Sequence, residues 1–503
     1  MLAAAVEALA ARGSSLPQSA QRLHAVELEP DEAQKAVQRL TQLGVTVPTE
    51  CIQTRDFFTY ARDCLKTTQR FDAIIGNPPF IRYQHFPEAH RAIAFGLMAR
   101  VGLKPNRLTN AWMPFLVASS LLLKEQGRLA MVIPAELLQV NYAAQLRCFI
   151  SAYYSKLTLI TFRKLVFNGI QQEVVLLLAE KNSTRHAGIR TVELNTINDL
   201  ATYQHTAFVA HELKSMQHST EKWTQYFLDE PEIQLLRTLR SDPRLTLASD
   251  VIDVDVGIVT GLNDFFVLTE QQVRTYALDQ YTQRLVGRSA HLPGVIFGAE
   301  DWATNAAQQR PAYLLNVPDM PFDQLPSAVQ TYVRQGEAQQ FHTGYKCRVR
   351  KHWYSVPSVW TPAAFMLRQV HTYPKLILNT ADATCTDTIH RVRLRNGFAA
   401  DTLVAAFLNS LTFAYTEVIG RSYGGGVLEL EPNEAEKLPL PLTAAGRLNL
   451  EAMHHRLRTE PIESVLDHTD SILLVDGLGL THEQVSTLRT IWRKLRDRRI
   501  LRK

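Results

Sequence analysis

The tetrapeptide Asn77-Pro78-Pro79-Phe80 has the residue types in this sequence that are best suited to chemistry. It follows the apolar run Phe71-Asp72-Ala73-Ile74-Ile75-Gly76, which is typical of a buried strand. The Asn77 side-chain oxygen and the Pro78 carbonyl can accept both hydrogens of an exocyclic amino group, so that the nitrogen moves towards a tetrahedral, nucleophilic geometry. Two prolines hold these acceptors in place before a base arrives, and Phe80 offers it a stacking face.

The tetrapeptide also has a structural interpretation. Asn-Pro is common where turns and loops begin, so the tetrapeptide could simply end a strand. Asn-Pro-Pro-aromatic behind a buried strand is much rarer than Asn-Pro alone. The pattern therefore favours a site that acts on the amino group of a planar nitrogen base.

The first third of the chain alternates strand and helix patterns, which indicates an α/β fold with a parallel sheet. Leu23 to Glu27 is a predicted strand, and Glu29-Pro30 begins a helix that runs to about Leu43. The other elements predicted here are a helix at 2–12, a short strand before Asp56, strands at 71–76, 128–133, 158–162 and 173–179, and a helical region at 87–125. From about residue 220 the pattern changes to short β-rich stretches, and a helical segment closes the chain.

Ligands of such sheets collect at the carboxyl ends of the strands, where three candidates lie. Glu27 could accept hydrogen bonds from ribose hydroxyls, or could be an acidic residue at a helix start. Asp56 could accept from an adenine amino group while Phe57 covers the ring. Phe167, in a predicted loop, could stack on a base from the side opposite Phe80, or could fold back into the core.

The composition is that of an ordinary globular protein of two or three domains, with 503 residues, 46% hydrophobic and 20% charged. No apolar run is long enough to span a bilayer, and the N-terminus has no signal-peptide pattern. Five scattered cysteines predict neither a disulfide framework nor a zinc site, so we expect a cytoplasmic protein without a structural metal.

The net charge of +5 is distributed unevenly. The last fifteen residues contain eight lysines and arginines against Asp497 alone. Two interpretations of this basic end are open: a solvated helix end, or a tail that contacts nucleic-acid phosphates and makes binding depend on salt.

Five segments occur in the order and approximate spacing of one known family. They are His24 to Pro30, Asp56-Phe57, Asn77 to Phe80, Gly127 to Pro134, and Val166-Phe167. In these motifs the sequence resembles the TaqI-like adenine-N6 DNA methyltransferases of restriction-modification systems. The resemblance covers most of residues 1–180. It implies a Rossmann-like sheet that binds S-adenosylmethionine (AdoMet), followed by a β-rich target-recognition domain.

The resemblance also implies residue roles. Glu27 would hold the AdoMet ribose, and Asp56 and Phe57 its adenine. Asn77, Pro78, Pro79 and Phe80 would be the catalytic motif, and Phe167 would stack on the flipped target base. By this reading, residues 1–200 form the catalytic domain, 220–445 the target-recognition domain, and 446–503 a helical C-terminal segment with a basic tail.

Three stretches of the second half are also similar to related enzymes. They are Gly257 to Phe266, Lys346 to Tyr354, and Arg421 to Gly426. The second is a basic segment with two aromatic residues, a composition suited to contacts with DNA phosphates and base edges. The residues predicted to bind DNA are Arg348, Arg350, Lys351, Arg421 and Tyr423. The glycine triplet that follows Tyr423 could equally be a plain flexible loop.

One element of the family pattern is missing. The family begins with a strand and a glycine-rich turn for the methionine part of AdoMet, whereas this chain has only Gly13 and Gly44 before Gly76. The missing strand would lie between the strands that end at Glu27 and Gly76, leaving two unpaired edges. We expect that the start of the reading frame is assigned too late. The alternatives are a strand supplied by another chain and a decayed gene.

The sequence therefore predicts a DNA adenine-N6 methyltransferase with double-stranded DNA as its partner. A cognate restriction endonuclease is the second expected partner, and neither a membrane nor a metal is expected. Two alternatives stay open. One is a methyltransferase for another planar amino group, such as cytosine N4, an rRNA base or a protein glutamine. The other is a vestigial enzyme that acts only as a DNA-binding specificity module.

Overall fold

The computed structural model of this chain describes residues 1–16, 21–164, 166, 173–182, 187–203, 211–216, 221–395, 397–423 and 425–502. The chain divides into two units, Met1–Phe227 and Leu228–Lys503. Each unit has its own sheets and helices.

The first unit alternates helices and strands along most of its length. Its strands are β1 (Ala25–Glu27), β2 (Ile52–Thr54), β3 (Phe71–Gly76), β4 (Leu123–Pro134), β5 (Lys156–Phe162), β6 (Val174–Glu180) and β7 (Gly188–Leu194). Its helices are α1 (Leu2–Ala10), α2 (Pro30–Gln42), α3 (Phe57–Cys64), α4 (Glu88–Ala99), α5 (Trp112–Leu121), α6 (Glu136–Gln139), α7 (Ala144–Tyr153) and α8 (Asp199–Thr202).

Local sequence explains where these helices start. Pro30 is the first residue of α2, and Asp31 and Glu32 follow it in the first turn. Acidic side chains there interact favourably with the positive end of the helix dipole. Asp56 caps α3 by accepting a hydrogen bond from the Thr59 backbone N–H at 2.8 Å.

Five strands of the first unit form one mixed sheet in the order β3-β4-β6-β5-β7. β3 and β4 run parallel, with Gly76 opposite Met131, and β4 pairs antiparallel with β6. The parallel pair β1 and β2 forms a separate sheet. This arrangement confirms the α/β class predicted from the sequence.

β1 and β3 are both edge strands. Among the described residues β1 pairs only with β2, and β3 only with β4. Ile75 in β3 keeps 52% of its surface exposed, unusual for an apolar strand residue. The two strands nevertheless pack on one core, because Val26 and Ile74 both contact the cluster around Phe58. The predicted pair of unpaired strand edges is thus present.

The second unit combines short strands with more regular helices. Its strands are β8 (Thr246–Leu247), β9 (Ile252–Val256), β10 (Val267–Leu268), β11 (Thr282–Val286), β12 (Ile296–Phe297), β13 (Tyr313–Leu315), β14 (Ala364–Leu367), β15 (Gln369–Val370), β16 (Leu376–Asn379), β17 (Thr384–Cys385), β18 (Ile389–Leu394), β19 (Arg421–Tyr423), β20 (Val427–Glu429) and β21 (Pro439–Leu440).

The helices of this unit include a set that closes the chain. They are α9 (Glu230–Arg240), α10 (Ala248–Val251), α11 (Asn263–Phe266), α12 (Glu270–Thr275), α13 (Ala299–Ala307), α14 (Ser327–Ala338), α15 (Tyr345–Arg348), α16 (Ala400–Phe407), α17 (Ser410–Ile419), α18 (Pro432–Ala435), α19 (Leu450–Thr459), α20 (Ile462–Asp470) and α21 (His482–Ile500).

Two larger sheets organise the second unit, a five-stranded one (β12-β16-β14-β18-β9) and a four-stranded one (β10-β13-β11-β17). The last helix, α21, packs on the fully buried helix α17. In the described part of the chain no single helix is long and apolar enough to cross a membrane. Only the pair α16 and α17, bent by 76°, has the combined length and composition, and most of its residues are buried.

Candidate active site

The Asn77-Pro78-Pro79-Phe80 turn directly follows the carboxyl end of β3. Pro78 is buried and Phe80 is half-buried, whereas Asn77 and Pro79 are exposed. The chain just beyond the turn is fixed by a hydrogen bond of 2.9 Å from the Ala111 N–H to the Ile81 carbonyl. A buried proline and an anchored neighbour hold the backbone of the turn in one conformation.

The Asn77 carboxamide is available for a ligand. No described residue donates to or accepts from this side chain. Its donor and acceptor groups therefore face solvent at the end of an edge strand, where they can meet the polar edge of a planar base.

Glu27 lies at the carboxyl end of β1, opposite Thr54 at the end of β2. Its Oε1 accepts from the backbone N–H groups of Leu28 at 2.8 Å and Glu29 at 3.1 Å. These two bonds orient the carboxylate, and the second oxygen has no partner in the described part of the chain. The oriented carboxylate therefore keeps an acceptor for a hydroxyl group.

Asp56 and Phe57 start α3 beside Glu27, because the Arg55 N–H donates to the Glu27 carbonyl at 2.9 Å. Asp56 Oδ1 serves as the helix cap, accepting from Thr59 N–H and the Thr59 hydroxyl. Its Oδ2 lies 3.5 Å from His90 Nδ1. Both carboxylate oxygens of Asp56 thus have structural partners that the sequence interpretation did not anticipate.

Phe57 is half-buried, and one face of its ring stacks on Phe115 with centroids 4.9 Å apart and planes 9° apart. Such a ring can cover a purine on its other face. Glu27 and Phe57 therefore fit the nucleoside half of AdoMet. For the amino-acid half, the described residues of the first unit contain no Gly-x-Gly turn between strand and helix.

Phe167, the predicted base-stacking residue, lies outside the described residues. Sequence reasoning did not single out a set of basic residues that follows the turn along the chain. Four exposed cations without an acidic partner in the described chain lie between the motif and α5: Arg82, Arg100, Lys104 and Arg107. They are scattered along the sequence, so no basic motif marks them.

The residues predicted to bind DNA have different surroundings in the second unit. Arg348 and Lys351 are exposed. Arg350 is half-buried and donates to the carbonyls of Val259 and Thr260, at 3.2 and 2.6 Å. Burial lowers the pKa of its guanidinium. Arg350 therefore positions the loop before α11 rather than facing solvent.

The Arg421 segment is also partly structural. The Arg421 guanidinium donates to the buried carboxylate of Glu434 at 2.8 Å. For Tyr423 the structure describes the backbone, which pairs with Val427 across β19 and β20. Arg421 is thus held by an internal acid.

Most of the basic C-terminal end lies in the helix α21, and part of its charge is used inside the protein; contact of the remaining cations with phosphates stays a prediction. Arg499 is 2% exposed and forms two hydrogen bonds with Glu417. Arg489 pairs with Asp470 at 2.7 Å and Lys494 with Glu232 at 2.9 Å. Three of the charges that look unbalanced along the sequence are thus paired with acids on other elements.

The two aromatic residues of the basic segment are also placed differently from the prediction. Tyr354 is 4% exposed and donates to the Met320 carbonyl, while Trp353 packs on Phe265 with centroids 4.7 Å apart. Tyr354 belongs to the core of the second unit, and the half-buried Trp353 packs against that core.

A sheet with Asn-Pro-Pro-Phe at a strand end, joined to a β-rich second unit, defines a methyltransferase of a restriction-modification system. The profile of the Type II methyltransferase M.Eco57I C-terminal domain matches residues 220–474, and that of the Eco57I restriction-modification methylase matches 21–167. The chain belongs to this family. Dependence on AdoMet is the property of the class.

Known relatives agree with this assignment. Type II methyltransferase M.AccI of Acinetobacter calcoaceticus is 21% identical over 73% of this chain and 68% of its own length. M.XamI of Xanthomonas campestris pv. amaranthicola is 24% identical over 86% of this chain and 78% of its own length. The Type IIL restriction-modification enzyme MmeI, solved in complex with DNA, has a similar fold, with a TM-score of 0.56 and 10% identity. That match covers 94% of this chain and 66% of MmeI.

Among the described residues, no group of three or more histidines, cysteines, aspartates and glutamates is arranged to hold a metal ion. The five cysteines are free thiols.

Proposed function

We propose that this chain methylates the N6 amino group of one adenine within a short duplex site, after the base has left the helix. The observation that carries the proposal is the anchored Asn77-Pro78 turn at the end of β3, with an uncommitted carboxamide. Support for duplex DNA comes from the exposed cations Arg82, Arg100, Lys104 and Arg107, which follow the turn along the chain and have no acidic partner among the described residues. Glutamine methylation would need neither these cations nor a large second unit.

The chain's own groups would act on the amino nitrogen. The Asn77 side-chain oxygen and the Pro78 carbonyl accept its two hydrogens, which makes its lone pair available for attack. AdoMet, when bound, supplies the methyl group as an electrophile. Phe80 on one side and Phe167 on the other hold the base, and Glu27, Asp56 and Phe57 hold the nucleoside of the cofactor. The amino proton leaves to solvent after transfer.

The experiment that tests this proposal is transfer of a labelled methyl group from AdoMet to unmodified DNA, with digestion to identify the modified base. Asn77→Ala should abolish transfer while DNA binding stays close to wild type. Asn195→Ala is the matched control, because Asn195 is another exposed asparagine directly after a strand of the same unit, β7.

Each outcome distinguishes the alternatives. N4-methylcytosine as the product would leave the catalytic turn correct but the base wrong. Wild-type rates in Asn77→Ala would refute the mechanism. Site-specific DNA binding by a wild-type chain that transfers no methyl group would favour a specificity module.

Phe167 has a separate expectation. Replacing it by alanine should weaken productive base binding by the ~1–3 kcal/mol of one base–aromatic stack. An unchanged transfer rate would place Phe167 in the core instead.

A further inference from the structure

Three exposed apolar side chains of the second unit lie on two neighbouring segments, the turn of α15 with its C-cap and the loop before α11. Tyr345 is 67% exposed, Val349 62% and Val259 44%. Single exposed apolar residues are common, but a contiguous group marks a binding surface. Together with Lys346, Arg348 and Lys351, we call this group the Tyr345 surface.

The Tyr345 surface rests on a fixed support. Cys347, on the inner side of α15, is 1% exposed and belongs to the aromatic core of the unit. The Arg350 guanidinium joins α15 to the loop by its bonds to the Val259 and Thr260 carbonyls, and lies 5.3 Å from the Phe266 ring centroid. The exposed side chains therefore project from a preorganised backbone, which lowers the entropic cost of binding.

Gly261 makes this contact between loop and helix possible. Its φ of +81° is in the left-handed region, and a Cβ atom there would lie 2.5 Å from Lys346 Cβ. The glycine allows the loop backbone to lie directly against the Lys346 side chain, so the loop that carries Val259 lies beside the helix that carries Tyr345.

Cations surround the apolar centre. Lys346, Arg348 and Lys351 are exposed, and none of them has an acidic partner among the described residues. The nearby Asp319 carboxylate is occupied by His352 Nδ1 at 2.6 Å. This differs from α21, whose Arg489, Lys494 and Arg499 are paired. Uncompensated cations around an apolar centre fit a polyanion that also has apolar parts.

We infer that the Tyr345 surface is where this protein reads base edges of duplex DNA. Tyr345, Val349 and Val259 contact bases, such as a thymine methyl group, while Lys346, Arg348 and Lys351 hold the flanking phosphates. The inference rests on the proposed function, in that the partner is duplex DNA. A protein partner is disfavoured because protein interfaces are depleted of lysine, and the surface has two lysines.

Binding of the full chain to fluorescent duplexes, measured across a salt series without AdoMet, tests the inference. The specific duplex is obtained by repeated selection on wild-type protein from a randomised pool. The double variant Tyr345→Ser/Val349→Ser should lose about tenfold in preference for the selected over a random duplex. The slope of log affinity against log salt should stay unchanged. Arg348→Ala and Lys351→Ala should each reduce that slope by about 1 with little change in preference.

Leu247→Ser is the matched control, since Leu247 is 47% exposed in the same unit but belongs to β8. Unchanged preference in the double variant would overturn the inference. So would intact DNA recognition combined with loss of a protein partner retained by wild type. Because the readout needs no methyl transfer, a catalytically silent chain would refute the proposed function and leave this test intact.

Discussion

The pair Glu417–Arg499 allows a sharp test of how α21 contributes to stability. Arg499 donates from Nε and Nη2 to the two Glu417 oxygens at 2.8 and 2.7 Å, and from Nη1 to the Gly426 carbonyl at 2.5 Å. Their side chains are 1% and 2% exposed. We predict that Arg499→Met strongly destabilises the second unit, since it leaves a buried carboxylate without a partner.

The magnitude follows from burial. Removing one partner of a buried ion pair costs about 3–5 kcal/mol. At about 2–4 °C per kcal/mol for a unit of this size, the melting transition of the second unit should fall by about 10 °C. The double variant Glu417→Leu/Arg499→Met should recover most of this loss, because it removes the buried charge along with its partner.

The penalty in Arg499→Met should depend on pH. Burial raises the pKa of the Glu417 carboxyl, and Arg499 opposes that shift. Without Arg499 the folded-state pKa rises further above the unfolded value. A carboxyl raised in this way is tolerated at low pH, and stability is lost as pH rises through the folded pKa. The variant should therefore be closer to wild type at pH 5 than at pH 8.

Thermal unfolding followed by circular dichroism, at both pH values, measures these differences. Lys351→Met is the control, because it removes an exposed cation with no acidic partner in the described chain. An Arg499→Met variant as stable as wild type, or a double variant no more stable than the single one, would refute the assignment of α21 as a structural helix.

Two further predictions concern positions whose structural and functional roles can be separated. Asp56→Ser keeps a helix-capping oxygen but loses the second carboxylate oxygen. AdoMet binding, measured by calorimetry, should therefore weaken while the melting temperature stays nearly constant. Asp56→Ala also loses the helix cap, so it should in addition lose about 1 kcal/mol of stability. Equal AdoMet affinity in wild type and Asp56→Ser would remove Asp56 from the cofactor site. Gly261→Ala should lower the preference for the selected over a random duplex about as much as the Tyr345→Ser/Val349→Ser change. The reason is that the added Cβ displaces the loop from Lys346. A retained preference would contradict a role for this close approach.

Much of the first unit could be predicted because its signals are local. Pro30 and the acids that follow it mark α2, and the apolar run before Asn77 marks β3. The predicted helical region 87–125 was too long, since α5 ends at Leu121 and β4 begins at Leu123. The strand Gly188–Leu194 was not predicted; its burial comes from pairing with β5, which is not encoded in its own seven residues.

The second unit was harder because its charges and rings are neutralised at long range. Arg499 pairs with Glu417, which is 82 residues away in the sequence. Lys494 pairs with Asp229, which is 265 residues away. Beside their basic neighbours in the sequence, Trp353 and Tyr354 look like residues that contact DNA. In the structure they pack with Tyr332 and Phe265 in the core of the second unit. Composition shows which groups are available, whereas only topology determines which of them meet.

The edge of β3 has a consequence for how this protein behaves in concentrated solution. β3 pairs with β4 on one side only among the described residues, so its other edge, where Ile75 is exposed, offers N–H and C=O groups to another extended chain. The strand carries one charge, Asp72, which is 85% exposed in its side chain and lies 2.9 Å from Lys124. That ion pair places charge, which disfavours strand association, only at the beginning of the strand. The colloidal stability of this chain should therefore be limited by edge-to-edge association through residues 73–76, next to the catalytic turn itself.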